Sequence, residues 1–398
     1  MEDKKISQLT ELGLVDKIND SLLSVGSATN QNYKFLSYNM PLSLSEANSN
    51  FPFVFGVGSN VEPFNALNLT SIPSGFFEND PKNNYYIGTN VTGIEDAAFE
   101  SLTNKISGYV TLTNNITNIG DEAFFDQDKC KGINIPDSVT SIGSAAFYYC
   151  SSLASINVGN SVTSIGGYAF AGCTGLTSAK IGNSVTSIGS LAFANCDGLT
   201  SITIPDSVTG IGTQVFGNCT ALTGITLPDN IDFVTMPNFL FFNCINLEDI
   251  IIPDSIESIG NNTFSNCGSL ENIIIPDSVE IIAQNTFLNC TGLTGLVIGN
   301  SVASIGASAF RNLDSLTSVT IPNSVEVIGA AAFRGSASLT NLISLAVDAP
   351  ILGVDAFNNC PNLTKIIVPN GSSGSYVARG LDAGDIKGEY GGLTIEEA

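Results

Sequence analysis

The chain contains no histidine and no tryptophan in its 398 residues. Without an imidazole there is no Ser-His or Cys-His pair, no His general base and no histidine metal ligand. No P-loop and no dinucleotide fingerprint occurs either. Carboxylate pairs alone serve some glycosidases, but the acidic residues here fall at turn or surface positions with no sign of a cleft. These absences predict a protein that is not an enzyme and carries no cofactor.

Positive charge is equally scarce. Fourteen Lys and Arg face 37 Asp and Glu, giving a net charge of -23, and no Lys or Arg occurs between Ile181 and Phe310. That window has nothing to neutralise phosphates, so no nucleic-acid partner is expected. Long apolar runs are missing too: no stretch approaches the ~20 residues that cross a bilayer, and no lipidation motif stands at either end. The opening MEDKKISQLTELGLVDKIND lacks the apolar region of an export signal. The expectation is a soluble chain with no membrane span, not exported by the classical route.

What the chain has in abundance is itself. SVTSIGGYAFAGC at 161–173 returns as SVTSIGSLAFANC at 184–196 and appears earlier as SVTSIGSAAFYYC at 138–150. With Phe as a ruler the motif recurs at Phe77, Phe99, Phe124, Phe147, Phe170, Phe193, Phe216, Phe241, Phe264, Phe287, Phe310, Phe333 and Phe357, mostly 23 residues apart. A fixed period of this length is the mark of a solenoid. In one unit, Leu199 to Ile204 alternates like a half-buried strand that Pro205 ends, and Val208 and Ile211 form a second short extended piece. Gly212 permits a bend, and Val215, Phe216 and Cys219 return the chain through a short helical or 3₁₀ turn. The fold expected is an α/β solenoid of about thirteen turns, roughly 58 Å long if strands stack at about 4.8 Å.

LTSITIPDSVTGIGTQVFGNC at 199–219 and its sisters resemble the BspA-like leucine-rich-repeat family. The resemblance implies a right-handed solenoid used for surface recognition and adhesion without catalysis, and no particular ligand; a protein or glycan surface receptor is the partner expected. The chain divides into an N-terminal segment (1–30), a Ser/Asn-rich connector (31–59), the repeats (60–369) and a C-terminal cap (370–398).

Eight of nine cysteines, Cys150, Cys173, Cys196, Cys219, Cys244, Cys267, Cys290 and Cys360, stand three after the ruler Phe, and Cys130 six after Phe124. Zinc needs clustered pairs that are absent, and parallel side chains one strand apart suit a disulfide poorly. Buried, reduced thiols and a reducing compartment of assembly are expected. The turn Asp of I-P-D-S-V, at Asp137, Asp206, Asp229, Asp254 and Asp277, alternates with Asn160, Asn183, Asn300 and Asn323. That interchange predicts an Asx-type turn rather than a calcium ladder, and no metal site is expected.

Function should sit where outward residues depart from the rule. Most outward strand positions are Thr or Ser, but consecutive turns give Glu248, Asp249 and Ile251, then Glu271, Asn272 and Ile274, then Thr294, Gly295 and Val297. Ile251, Ile274 and Val297 would form an apolar stripe beside an acidic edge. Just before it, DNIDFVTMPNFLF at 229–241 is two residues longer than its equivalent and carries Phe233, Met236 and Phe239, which are expected to bulge from the wall and join the binding surface.

Ile6, Leu9, Leu12, Leu14, Ile18 and Leu22 predict one or two short amphipathic helices in the first 30 residues. KISQLTELGLVDKINDSLL resembles the opening of phage tail and virion proteins. That resemblance implies an anchor on virion proteins, assembly in the host cytoplasm and several copies of the chain as a homo-oligomer. The alternative is a cellular interaction scaffold, cytoplasmic or brought to the cell surface by non-classical export.

Overall fold

The computed structural model describes residues 54–56, 62–64, 70–74, 85–87, 91–100, 106–228, 234–378 and 393–398. Each turn repeats three pieces: a first strand such as Ser201–Thr203, a two-residue second strand such as Gly210–Ile211, and a run of tight turns through a Phe such as Phe216. Both strands pair in parallel with their equivalents one turn on. Ser155, Ser178, Ser201 and Gly224 follow one another along the first wall, and Ser141, Ser164, Ser187 and Gly210 along the second. Parallel neighbours need a crossover rather than a hairpin, and the remainder of each turn supplies it. The result is a parallel-strand solenoid of about twelve turns, with the β-strand alternation as expected: Ile202 and Ile204 are buried and Ser201 and Thr203 exposed.

The interior is a single column. From Phe99 to Phe357 the rings stack face to face with centroids 4.6 to 5.9 Å apart; Phe77 lies outside the described residues. Each ring is fully buried between its two neighbours, so one turn alone has nothing to cover its faces and stability is shared from turn to turn.

The returning segment is not helical, contrary to the expectation. Two of its residues have left-handed backbone, two before and two after the Phe, as at Gln214 (φ 56) and Asn218 (φ 61). Between them Gly217 N donates to Gln214 O and Cys219 N to Phe216 O, both at 3.2 Å, closing successive β-turns. Alternate amides are left to point along the solenoid: Phe170 N donates to Ala192 O and Gly172 N to Ala194 O, each at 2.8 Å. A helix would spend those amides within its own turn, whereas this conformation joins each turn to the next. Among the described residues the single helix is Ser373–Ala378, so the helical half of the α/β expectation shrinks to the cap.

Close stacking explains the glycine of S-I-G. A Cβ on Gly166 would stand 2.4 Å from the carbonyl carbon of Gly143, and one on Gly189 2.4 Å from the amide of Gly167. The two ends are finished differently. Val54–Gly56 pairs antiparallel with Glu62–Phe64 and with Tyr85–Ile87, so a hairpin covers the first edge. At the other end Thr394–Glu397 adds a last parallel strand beside Lys365–Val368, and the Tyr376 hydroxyl reaches Ala346 O at 2.6 Å and Ser344 Oγ at 2.7 Å.

Candidate binding surface on the outer strands

In the first half of the array the outward threonines hold the walls together. Beside the second strands, the hydroxyl of Thr117 donates to Thr92 O (2.9 Å), Thr140 to Thr117 O (3.0 Å), Thr163 to Thr140 O (3.1 Å), and so on to Thr209. Beside the first strands Thr177, Thr200 and Thr223 do the same. These side chains are exposed, yet each donor is committed to the preceding turn.

Both ladders are interrupted at the same place, and the first wall's resumes where Thr294 donates to Glu271 O (3.2 Å). After Thr209 the equivalent residues are Val234, Glu257 and Glu280, and after Thr223 they are Glu248 and Glu271, while the backbone link persists, as from Glu280 N to Glu257 O at 2.7 Å. The strand ladders break here as well: the first wall's four-strand run ends at Gly224–Thr226 and the second wall's seven-strand run at Gly210–Ile211. The Phe stack is at its widest around this break, 5.9 Å from Phe193 to Phe216 and 5.8 Å from Phe216 to Phe241. The two extra residues before Phe241 coincide with this interruption, across which the bridge from Gly224 to Asp249 and the Phe column remain.

Beyond the break the predicted stripe is exposed. Ile251 is 86% exposed, Ile274 67% and Val297 56%, and Ile274 and Val297 are paired in register on adjacent strands, as are Asn272 and Gly295 beside them. Glu248, Asp249 and Glu271 are exposed along the same edge. The sequence reading missed the matching change on the second wall, where Ile281, Val327 and Ile351 are exposed and linked in register through Ser304. Its signal was available: SVEIIA and SVEVIG stand where SVTSIG is the rule.

Met236 is a correction. It is fully buried, paired in register with Ile259, because the extra residues precede it and it falls five before Phe241, the inward place held by Ile in the other turns and by Leu352 in the last. Phe239 is partly exposed, with left-handed backbone (φ 59), and packs edge-on against Phe242 at 5.7 Å. Phe233 and the N-terminal residues Ile6, Leu9, Leu12, Leu14, Ile18 and Leu22 lie outside the described residues.

The turn aspartates also act differently from the expectation. Asp137 accepts from Asn160 N at 2.8 Å and Asp277 from Asn300 N at 2.7 Å, so the carboxylate caps the following turn rather than its own. No cluster of three or more metal-binding side chains occurs among the described residues. All nine cysteines are free and buried. The thiols at the repeat position donate to the carbonyl of the preceding turn's Phe, for instance Cys173 to Phe147 and Cys196 to Phe170, both at 3.2 Å. Burial pushes Cys219 and Cys290 up to about 12 and Cys130 to about 11, which leaves them protonated and unreactive at neutral pH.

No helix among the described residues is long and apolar enough to cross a membrane. No curated protein matches the chain. Among solved structures it is similar to a leucine rich cell surface protein of Faecalibacterium prausnitzii, at 24% identity over 85% of this chain and 98% of that one, with a TM-score of 0.46. A leucine-rich repeat protein of Bacteroides ovatus matches at 28% identity over 74% and 95%, TM-score 0.39. The pneumococcal vaccine antigen PcpA matches at 17% identity over 79% and 95%, TM-score 0.44. The model of the BspA type leucine rich repeat region matches residues 9–107, 70–200, 186–316 and 303–376, and the chain belongs to that family.

Proposed function

We propose that the chain is a non-enzymatic recognition or adhesion protein whose repeats present a docking surface for another protein. The observation that carries this reading is the stripe Ile251, Ile274 and Val297 on consecutive turns, apolar and exposed, with Ile274 and Val297 in register on adjacent strands, edged by Glu248, Asp249 and Glu271. Exposed apolar residues in contiguous register mark contact surfaces. The absence of Lys and Arg from 181 to 310 leaves this acidic edge with no cation from its own turns. Charge complementarity then selects a partner with an apolar centre and a basic rim. A second copy of the chain would bring like charges together, which disfavours self-association through this face.

Docking to a virion through residues 1–30 finds no support in the described residues or in the comparisons, and the reading stands without it. The test of the reading is whether Ile251→Asp with Ile274→Asp removes capture by an immobilised basic protein while the fold is retained.

A further inference from the structure

The edge of the array near Tyr149 departs from the scaffold in a way that the outer strands do not explain. From Phe124 on, the position two after each ladder Phe has left-handed backbone, and from Asn195 on it is mostly Asn. There the side-chain amides link turn to turn, Asn218 donating to Asn195 at 2.9 Å and Asn243 to Asn218 at 3.1 Å. The two turns before Asn195 give up this ladder and place Tyr149 (φ 60) and Gly172 (φ 72) instead. A bulky residue is disfavoured in that conformation, which Asn and Gly adopt at this position from Asn195 on.

The glycine is required by the ring. A Cβ built on Gly172 would stand 2.4 Å from Cδ1 of Tyr149, so the ring fills the space that any side chain at 172 would take. Tyr148 lies against Tyr149 with centroids 4.1 Å apart, and Tyr168 meets Tyr148 edge-on at 5.9 Å. Phe125 closes the far side at 5.5 Å from Tyr148. The Tyr148 phenol is pushed up to about 12, first by its hydrogen bond with Tyr149 and then by desolvation. Tyr149 is 48% and Tyr168 44% exposed.

We propose that these rings form a platform for a neutral glycan, with the C–H face of a pyranose on a phenol ring and its hydroxyls on the phenol oxygens. The proposal rests on the recognition reading of the chain and assigns it a second ligand on a different face. Two observations choose this class. From 106 to 228 the large apolar side chains left exposed are all tyrosines, Tyr109, Tyr149 and Tyr168, with none of the aliphatic anchors that mark the Ile251 stripe. Tyrosine offers an apolar face and a polar edge together. The net charge of -23 disfavours an anionic sugar.

The experiment is an array of neutral hexose- and N-acetylhexosamine-containing oligosaccharides with a sialylated and sulfated set, probed with the full chain. Tyr149→Asn and Tyr168→Asn remove the rings while keeping a residue suited to left-handed backbone, and the melting temperature reports that the fold is retained. Neutral glycans should be captured, each Asn variant should bind at least tenfold more weakly, and the Ile251→Asp, Ile274→Asp variant should bind as the parent does. Capture of no glycan, capture of the anionic set alone, or capture indifferent to both tyrosines would overturn the platform. If protein capture through Ile251 survives such a result, the platform alone has failed.

Discussion

The thiol of Cys196 donates a hydrogen bond to the carbonyl oxygen of Phe170 in the preceding turn, 3.2 Å away. The same link recurs from Cys150 to Phe124, from Cys219 to Phe193 and from Cys290 to Phe264. Cysteine at this position is thus a small buried side chain with one donor, matched to one spare acceptor lone pair. Ser336 takes the role toward Phe310 where Cys is absent.

These thiols make stability fall in alkali. Their folded values are raised, to about 12 at Cys219 and Cys290 from an ordinary 9.0. Both states hold the proton below pH 9. Above it the unfolded chain loses protons that the folded chain keeps, so stability declines as pH rises from about 9 toward 12. Denaturant midpoints measured from pH 8 to 11 should drop across that window, and Cys219→Ala with Cys290→Ala should flatten the slope. A midpoint constant to pH 11 would contradict the buried, protonated thiols.

Iodoacetamide at pH 7 should leave all nine cysteines unmodified in the folded chain and modify nine after denaturation without reductant. Mass spectrometry reads both numbers directly. Any disulfide in the unreduced protein would refute the free ladder.

Phe193→Ala should destabilise by about 3 to 5 kcal/mol, since it removes a fully buried ring and leaves a cavity between Phe170 and Phe216. Thermal or denaturant unfolding checks it. A change below about 1 kcal/mol would mean that the column is not the core.

Asn218→Ala and Asn218→Gly separate two contributions. Both lose the amide bonds to Asn195 and Asn243, but only Ala must hold a side chain at φ 61. The Ala variant should be less stable than the Gly variant by about 1 kcal/mol. Equal stabilities would show that the left-handed backbone is not maintained in solution.

Much of this architecture was legible because a period of 23 exposes every inward position many times over. Phe, the paired isoleucines and Cys were read correctly as core from their recurrence alone. The returning turns were misread because apolar spacing around Val215 and Phe216 is compatible with a helix. What rules a helix out is the backbone sign at Gln214 and Asn218, for which the recurrent Asn two after Phe was the available clue. Met236 was expected to bulge because its segment is two residues longer; counting back from Phe241 gives it the inward place. The direction of the Asp137 cap, toward Asn160, depends on the distance between turns, which no single unit encodes. Tyr148, Tyr149 and Tyr168 stood in the repeated strings from the outset, but the approach of Tyr168 to Tyr148 appears only once adjacent turns are stacked.

The central claim is that the array docks protein through its acidic-edged apolar stripe. The direct measurement is capture of the full chain by immobilised proteins spanning basic to acidic isoelectric points, for the parent and for Ile251→Asp with Ile274→Asp, with melting temperatures alongside. The account predicts capture by basic members that weakens as salt rises. It also predicts a loss of at least tenfold in the double variant, consistent with two exposed anchors worth on the order of 1 kcal/mol or more each, at an unchanged melting temperature. Capture by no member of the panel, or capture indifferent to Ile251 and Ile274, would contradict it.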